Sequence, residues 1–350
     1  MKHHWCRAAF ALVLFAVLPL RAKDGPPPRD WKACPAVVEF DTKRTVYALG
    51  DIHADYDRAV KLLIAGSLMS DFPDKPTKAR WTGGKSVLVV TGDLIDKWSQ
   101  SIEVIELLRA LRDSAEEAGG RVIVSAGNHE AEFLADPQNS KAKDFRKELD
   151  ARDISPESVA DGTDRLGLGE YMLCLPFAMR INDWFFSHAG NSDGRTLAKL
   201  AKKIESEVDE DGYDANVLLG NDGLLESRMK PPWWEREDDT PEESIERLQS
   251  YADELGVQHI VFGHQPGTYE FNDGSERKKG TMFQNFDGLV FLIDVGMSHG
   301  VDDSKGSLLQ IEGEGDDQTA TALYRDQKPR QLWPAKGAKA HHRVMKKAMF

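Results

Sequence analysis

Three short apolar runs each stop at a glycine followed by residues of metal-ligating type, and this repetition constrains the fold more than any other feature. The first run, Thr45-Val46-Tyr47-Ala48-Leu49, ends in Gly50-Asp51-Ile52-His53-Ala54-Asp55. Ser86 to Thr91 ends in Gly92-Asp93-Leu94-Ile95-Asp96, and Arg121 to Ser125 ends in Gly127-Asn128-His129-Glu130. Apolar runs without alternation imply strands of a sheet covered on both faces. A glycine, lacking Cβ, lets each strand turn sharply at its end. Side chains two apart on an extended chain share a face, so Asp51 and His53 present an oxygen and a nitrogen donor together. Three strands therefore deliver oxygen and imidazole ligands to one sheet edge.

Helical spacing fills the gaps. Tyr56 to Met69 carries Ala59, Val60, Leu62, Leu63 and Ile64, and Gln100 to Ala118 carries Ile102, Ile105, Leu108 and Leu111 with Val104 and Leu107. Asp55 or Asp57 is the candidate cap of the first helix, Ser99 or Ser101 of the second. Strand, helix, strand, helix, strand predicts an α/β core with parallel strands. Residues 131–171 and about 193–256 read as two insertions, the first helical and near the mouth of the site, the second opening with a helix over Arg195 to Val208. Val257 to Phe262, Leu289 to Ile293 and Ser307 to Ile311 are expected to be strands of a second sheet.

The three blocks resemble those of the calcineurin-like metallophosphoesterases, and within them the phosphoprotein-phosphatase branch with its G-D-x-H, G-D-x-x-D-R and G-N-H-E signatures. Ser187-His188-Ala189-Gly190 and Phe262-Gly263-His264-Gln265-Pro266 complete the likeness in family order, over roughly Val46 to Val295. Asp222-Gly223-Leu224-Leu225-Glu226-Ser227-Arg228 resembles the D-G-x-L-x-x-R segment of Shewanella-like phosphatases, and Pro266 stands where many general metallophosphoesterases have a second histidine. Together these features point toward bacterial relatives of protein phosphatases.

The resemblance implies a four-layer αββα sandwich of two mixed sheets flanked by helices. It implies two divalent ions, one held by Asp51, His53 and Asp93 and the other by Asp93, Asn128, His188 and His264, with Asp93 as the bridge. Carboxylate, amide and imidazole ligands without thiolate suit manganese, iron or zinc, with manganese favoured. The implied reaction is hydrolysis of a phosphomonoester by direct attack of a metal-bridging hydroxide. His129 is then the general acid, oriented by Asp96, while Lys97, Arg228 and Asn128 bind the phosphate. Lys97 stands where the family has arginine, exchanging a bidentate fork for a point charge. Ala54 replaces a glycine usual after the first histidine.

The 350 residues are 41% hydrophobic, enough for one large domain over 23–326. A formal net charge of -13 disfavours nucleic acid as a partner. Lys2 and Arg7, the apolar stretch Ala8 to Leu20 and the candidate cleavage site Leu20-Arg21-Ala22 read as a signal peptide over 1–22, the alternative being an uncleaved amphipathic anchor, and predict a periplasmic or secreted protein with no membrane span after cleavage. Cys34 and Cys174 would then meet an oxidising compartment, where they either form one disulfide or stay apart; their spacing does not decide it. From 327 to 350 basic residues gather without an acidic one, and this tail is expected to be solvated or to touch an anionic surface.

Several residues have a bland reading beside a sharper one. His259 and His299 are expected to be structural, Asp294 to form a turn in preference to lining the pocket, and the run from Glu205 to Asp211 to be a solvated face. Trp233 and Trp234 fit a substrate groove or the core. The substrate expected is a phosphorylated protein or peptide, or a small phosphoester. The alternatives are a hydrolase of nucleotide polyphosphates such as diadenosine tetraphosphate, and a non-catalytic binding module on a phosphatase fold.

Overall fold

The computed structural model describes residues 29–334. Fourteen strands run through this span: β1 Val37–Phe40, β2 Val46–Leu49, β3 Val87–Val90, β4 Arg121–Val124, β5 Ala178–Ile181, β6 Trp184–Ser187, β7 His259–Phe262, β8 Tyr269–Glu270, β9 Glu276–Arg277, β10 Phe283–Asn285, β11 Val290–Leu292, β12 Ser307–Glu312, β13 Thr319–Tyr324 and β14 Arg330–Trp333. The helices are α1 Tyr56–Ala65, α2 Ser101–Glu117, α3 Asn128–Ala135, α4 Lys143–Asp150, α5 Pro156–Ala160, α6 Leu168–Leu173, α7 Leu197–Asp211, α8 Asn216–Leu219 and α9 Pro241–Leu255.

Two six-stranded mixed sheets form the centre, flanked by helices. One has the order β14-β13-β12-β2-β3-β4 and the other β1-β5-β6-β7-β11-β10. In the first, β2, β3 and β4 are parallel, with Ala48 opposite Val89 and Val89 opposite Ile123. In the second, β6, β7 and β11 are parallel, with Ser187 opposite Phe262 and Leu292 opposite Phe262 from the other side. Every residue of β3, β6, β7 and β11 is buried, as expected of strands covered on both faces. Helix α2 packs on β4, and α7 and α9 bury Leu200, Ile204, Leu248 and Ala252 in the same core.

The structure departs from the sequence-based expectations in four places. Ser307 to Ile311 lies not in the second sheet but antiparallel to β2, with Leu309 opposite Ala48, so it covers the otherwise open edge of the first. The boundary expected at 327 falls inside a β-hairpin, because Arg330–Trp333 pair with β13 and Trp333 packs on His259. Helix α1 ends at Ala65 rather than Met69. Neither serine caps α2; Glu148 of α4 accepts from Ser101 Oγ at 2.7 Å and Ile102 N at 3.3 Å. The expected signal peptide and most of the basic tail lie outside the described residues.

Cys34 and Cys174 form a disulfide, tying the segment before β1 to the end of α6 with Cα atoms 4.9 Å apart. Trp234 is fully buried and Trp233 stacks on Tyr251, so this pair belongs to packing. His259 is buried against Trp184 with Nδ1 2.6 Å from Gly288 O, and His299 pairs with Asp55. Among the described residues no helix is long and apolar enough to cross a membrane.

Candidate metal centre

The ends of the parallel strands in the two sheets converge. Asp51 and His53 follow β2, Asp93 follows β3, Asn128 and His129 open α3 after β4, His188 follows β6 and His264 follows β7. Backbone contacts lock these turns together. His53 N donates to Asp93 O at 2.8 Å, Ala54 N to Leu94 O at 2.8 Å, and Gly263 N to His188 O at 2.8 Å. The two sheets are joined at the site itself, since His264 N lies 3.1 and 3.0 Å from the two carboxylate oxygens of Asp51.

One buried side chain organises the turns after β3 and β4. Glu130, with no exposed surface, accepts from Gly127 N at 2.7 Å and Asp93 N at 2.9 Å on one oxygen. Its other oxygen accepts from Leu94 N at 2.8 Å and Ile95 N at 3.2 Å. Four backbone donors turned away from the strand ladders are thereby satisfied. The price in backbone conformation is visible: His53, Ala54, Asp93, Asp96, Lys97 and His264 all have positive φ between 45° and 67°. Such a cluster of non-glycine residues in the left-handed region is characteristic of functional sites. Ala54, at φ 56°, explains physically why glycine suits this position.

Gly127 and Gly263 sit where no side chain fits. A Cβ on Gly127 would lie 2.2 Å from Asp93 Oδ1, and one on Gly263 would lie 2.1 Å from Asp51 Oδ1. These glycines let backbone pack directly behind the two carboxylates.

Asp93 is central. Its Oδ2 is 3.3 Å from His53 Nε2, and its Oδ1 is 3.4 Å from His188 Nε2. Ligand atoms of His53, Asp93 and His129 lie within 4.8 Å of one another, as do those of Asp93, His188 and His264. Asp51 Oδ2 is 4.0 Å from His53 Nε2. All six expected ligands are buried together.

The donor chemistry fits divalent cations. His188 Nδ1 is 2.8 Å from Thr91 O, which makes it the donor and turns Nε2 inward. That Nε2 faces Asn128 Oδ1 at 3.0 Å, His264 Nδ1 at 3.0 Å and the Asp93 carboxylate. A proton on it could satisfy one of these acceptors and would leave the others unmatched; a cation among them satisfies all. The field agrees. Burial opposes charge on His188, yet Asp93 and Asp51 overcome it and push the imidazole up to about 10. Burial likewise opposes charge on Asp93, and His188, His129 and His53 nonetheless hold its carboxyl well below the ordinary carboxylate range.

A cavity of about 240 Å³ opens over these groups, lined by Asp51, His53, Asp93, Asn128 and His264 with Lys97, His129, Lys141 and Arg228. Asp96 Oδ2 is 3.7 Å from His129 Nδ1, and its Oδ1 accepts from Asp144 N at 3.1 Å and Phe145 N at 3.0 Å. Asp96 thus aims at His129 while capping α4. Burial disfavours charge on His129, but Asp93 and Asp96 outweigh it and raise its pKa. Arg228 donates to Glu226 Oε1 at 2.7 Å at the exposed rim.

Residues 44–267 match the calcineurin-like phosphoesterase family. The chain belongs to that family. As a calcineurin-like phosphoesterase it is a metal-dependent phosphatase by class. It is similar to Shewanella-like protein phosphatase 1 of Plasmodium berghei, with 26% identity over 72% of this chain and 67% of the relative. A symmetrical bis(5'-nucleosyl)-tetraphosphatase of Xylella fastidiosa is 25% identical over 54% of this chain and 56% of its own. In fold it is similar to the cold-active protein-tyrosine phosphatase of a psychrophilic Shewanella species, with a TM-score of 0.64 and 22% identity over 85% and 82% of the two chains.

Four side chains of this phosphoesterase site lay outside the sequence-based expectations. Glu130 closes the third block, and its place beside the turn could have marked it; Glu132 lies two residues on, pointing to the other side of the helix, and carried no such signal. Lys141 and Glu226 come from separate insertions, and only the fold brings them together. Asp294, expected to form a turn, does accept from Gly296 N at 2.8 Å, but it is also buried beside Asp51, and burial pushes its carboxyl up to about 6.

Proposed function

We propose that the protein is an exported phosphomonoesterase acting on phosphorylated proteins or peptides, with two divalent ions, manganese favoured. The observation that carries this reading is Asp93 flanked by imidazole nitrogens on both oxygens, beneath a cavity whose rim holds Lys97 and Arg228. In this reading Asp51, His53 and Asp93 hold one ion, and Asp93, Asn128, His188 and His264 the other. When bound, such a pair supplies Lewis-acid stabilisation and a water activated near neutral pH.

The chain's own side chains do the rest. Lys97 and Arg228 offset the negative charge of the phosphoryl group, Arg228 as a fork and Lys97 as a point charge. Asn128 faces both the second ion and the phosphate. His129, steered by Asp96, gives a proton to the departing oxygen and so favours alcohols over poor proton acceptors. The two insertions border the cavity and are the natural source of substrate choice. The Cys34–Cys174 bond supports export, because such bonds persist in oxidising compartments.

The similarity to the tetraphosphatase favours a second reading, hydrolysis of dinucleoside polyphosphates. A panel of phosphoserine, phosphothreonine and phosphotyrosine peptides beside diadenosine tetraphosphate, assayed with added manganese, separates them. Turnover of the phosphopeptides at least tenfold faster is expected; faster turnover of the dinucleotide overturns the proposal. No turnover of any of these would overturn both substrate readings.

A further inference from the structure

Lys141 is contributed by the turn between α3 and α4, well away from every family block, yet it lines the cavity. Its ammonium contacts two carboxylates from different insertions. One is Glu132 on α3, through Oε1; the other is Glu226, whose Oε1 is 3.6 Å away. Each carboxylate in turn backs a neutral ligand of the second expected ion. Asn128 Nδ2 donates toward Glu132 Oε1 at 3.4 Å, which turns the amide oxygen into the cavity beside His188 Nε2. His264 Nε2 lies 3.3 Å from Glu226 Oε2, within ion-pair reach although neither atom makes a hydrogen bond, and Nδ1 faces inward toward His188.

We propose that Glu132, Lys141 and Glu226 form a positioning clasp for the second metal ion, fixing the amide of Asn128 and the imidazole of His264 from behind. The chemistry is that of a carboxylate behind a metal-binding histidine: accepting the outer N–H sets the tautomer, fixes the ring and strengthens the inner nitrogen as a donor. Glu132 does the same for the amide, whose two ends are otherwise exchangeable. Lys141 bridges the pair and offsets one of its two negative charges, Arg228 offsetting the other from 2.7 Å beside Glu226 Oε1, and so joins the two insertions. Asp51 and His53 have no share in this clasp: His53 Nδ1 faces Ile95 O instead, at 3.3 Å. The first ion should therefore be insensitive to it. This inference rests on the two-metal reading above.

The test uses the intact protein, stripped of metal by chelation and titrated with Mn2+ in a calorimeter. Lys141→Ala and Glu226→Ala should each weaken one of the two Mn2+ sites by about 10- to 100-fold and leave the other unchanged. The double variant should be little worse than either single one, since the three residues act as a unit. Lys141→Arg, which keeps the bridging cation, should restore most of the affinity. The metal-free melting temperature of every variant should match the parent, separating positioning from folding. Unchanged affinity at both sites overturns the clasp, as does an equal loss at both accompanied by a lowered metal-free melting temperature. If the parent itself binds no Mn2+, the two-metal reading falls; if the parent binds two and the variants behave alike, only the clasp falls.

Discussion

Of the four histidines at the centre, only His129 turns its Nδ1 to a side-chain carboxylate; His53 and His188 turn theirs to carbonyls, and His264 turns its Nδ1 to His188. His129 lies outside the expected ligand set, and Asp96 behind it orients its ring to give up a proton. His129→Ala should keep both Mn2+ ions by calorimetry, yet lose about a hundredfold to ten-thousandfold on alkyl phosphates. The loss on nitrophenyl phosphate should be much smaller, because that leaving group needs little protonation. Equal losses on both substrates would remove the proton-donor role. A second residue-scale prediction concerns Glu148, far from the ligands. Burial pushes its carboxyl up to about 7, against the Ser101 and Ile102 donors, with Glu103 adding repulsion; Arg152 pairs with Glu103 at that junction. A folded pKa above the unfolded value means the folded state binds the extra proton. Its stabilising contribution is thus complete below about pH 4.5 and lost as pH rises through 7. Between pH 5 and 8 the parent should lose on the order of 2 kcal/mol relative to Glu148→Gln, read as the difference in melting-temperature slope.

The turns after β3 and β4 depend on Glu130 for their four backbone bonds, and the strands alone would not hold them in their left-handed conformations. Glu130→Gln keeps the size but supplies one acceptor oxygen in place of two. Urea unfolding should show a loss of about 2–5 kcal/mol, from buried N–H groups left without acceptors. At this scale the sequence was most informative. β2, β3 and β4 were legible because continuous Val and Leu runs closed by Gly50 and Gly92 admit few other structures, and the metal-facing residues came with them. Pairing partners were less legible. β12 has the same apolar character whether it extends one sheet or the other, so only the open edge of β2 decides its place. The α2 cap was missed because Glu148 is distant in sequence, and a local search sees only Ser99 and Ser101. Lys141 and Glu226 escaped for the same reason, each being an ordinary surface charge until the insertions meet.

The Cys34–Cys174 bond acts on the whole molecule, closing a loop of sequence separation 140. By chain-entropy reasoning it should contribute about 3–5 kcal/mol, so Cys34→Ala should unfold at lower urea concentration than the parent, and reductant should bring the parent down to the variant. The interlacing of the sheets has a further consequence. β1 leaves the N-terminal half to join the sheet of β5 and β6, β12 returns from the far end to flank β2, and the backbone of His264 grips Asp51 across the gap. A chain severed between these halves would yield two fragments, each carrying an incomplete set of ligands. Catalysis would return only on reunion, which makes the enzyme a ready basis for a complementation reporter whose signal is its own turnover.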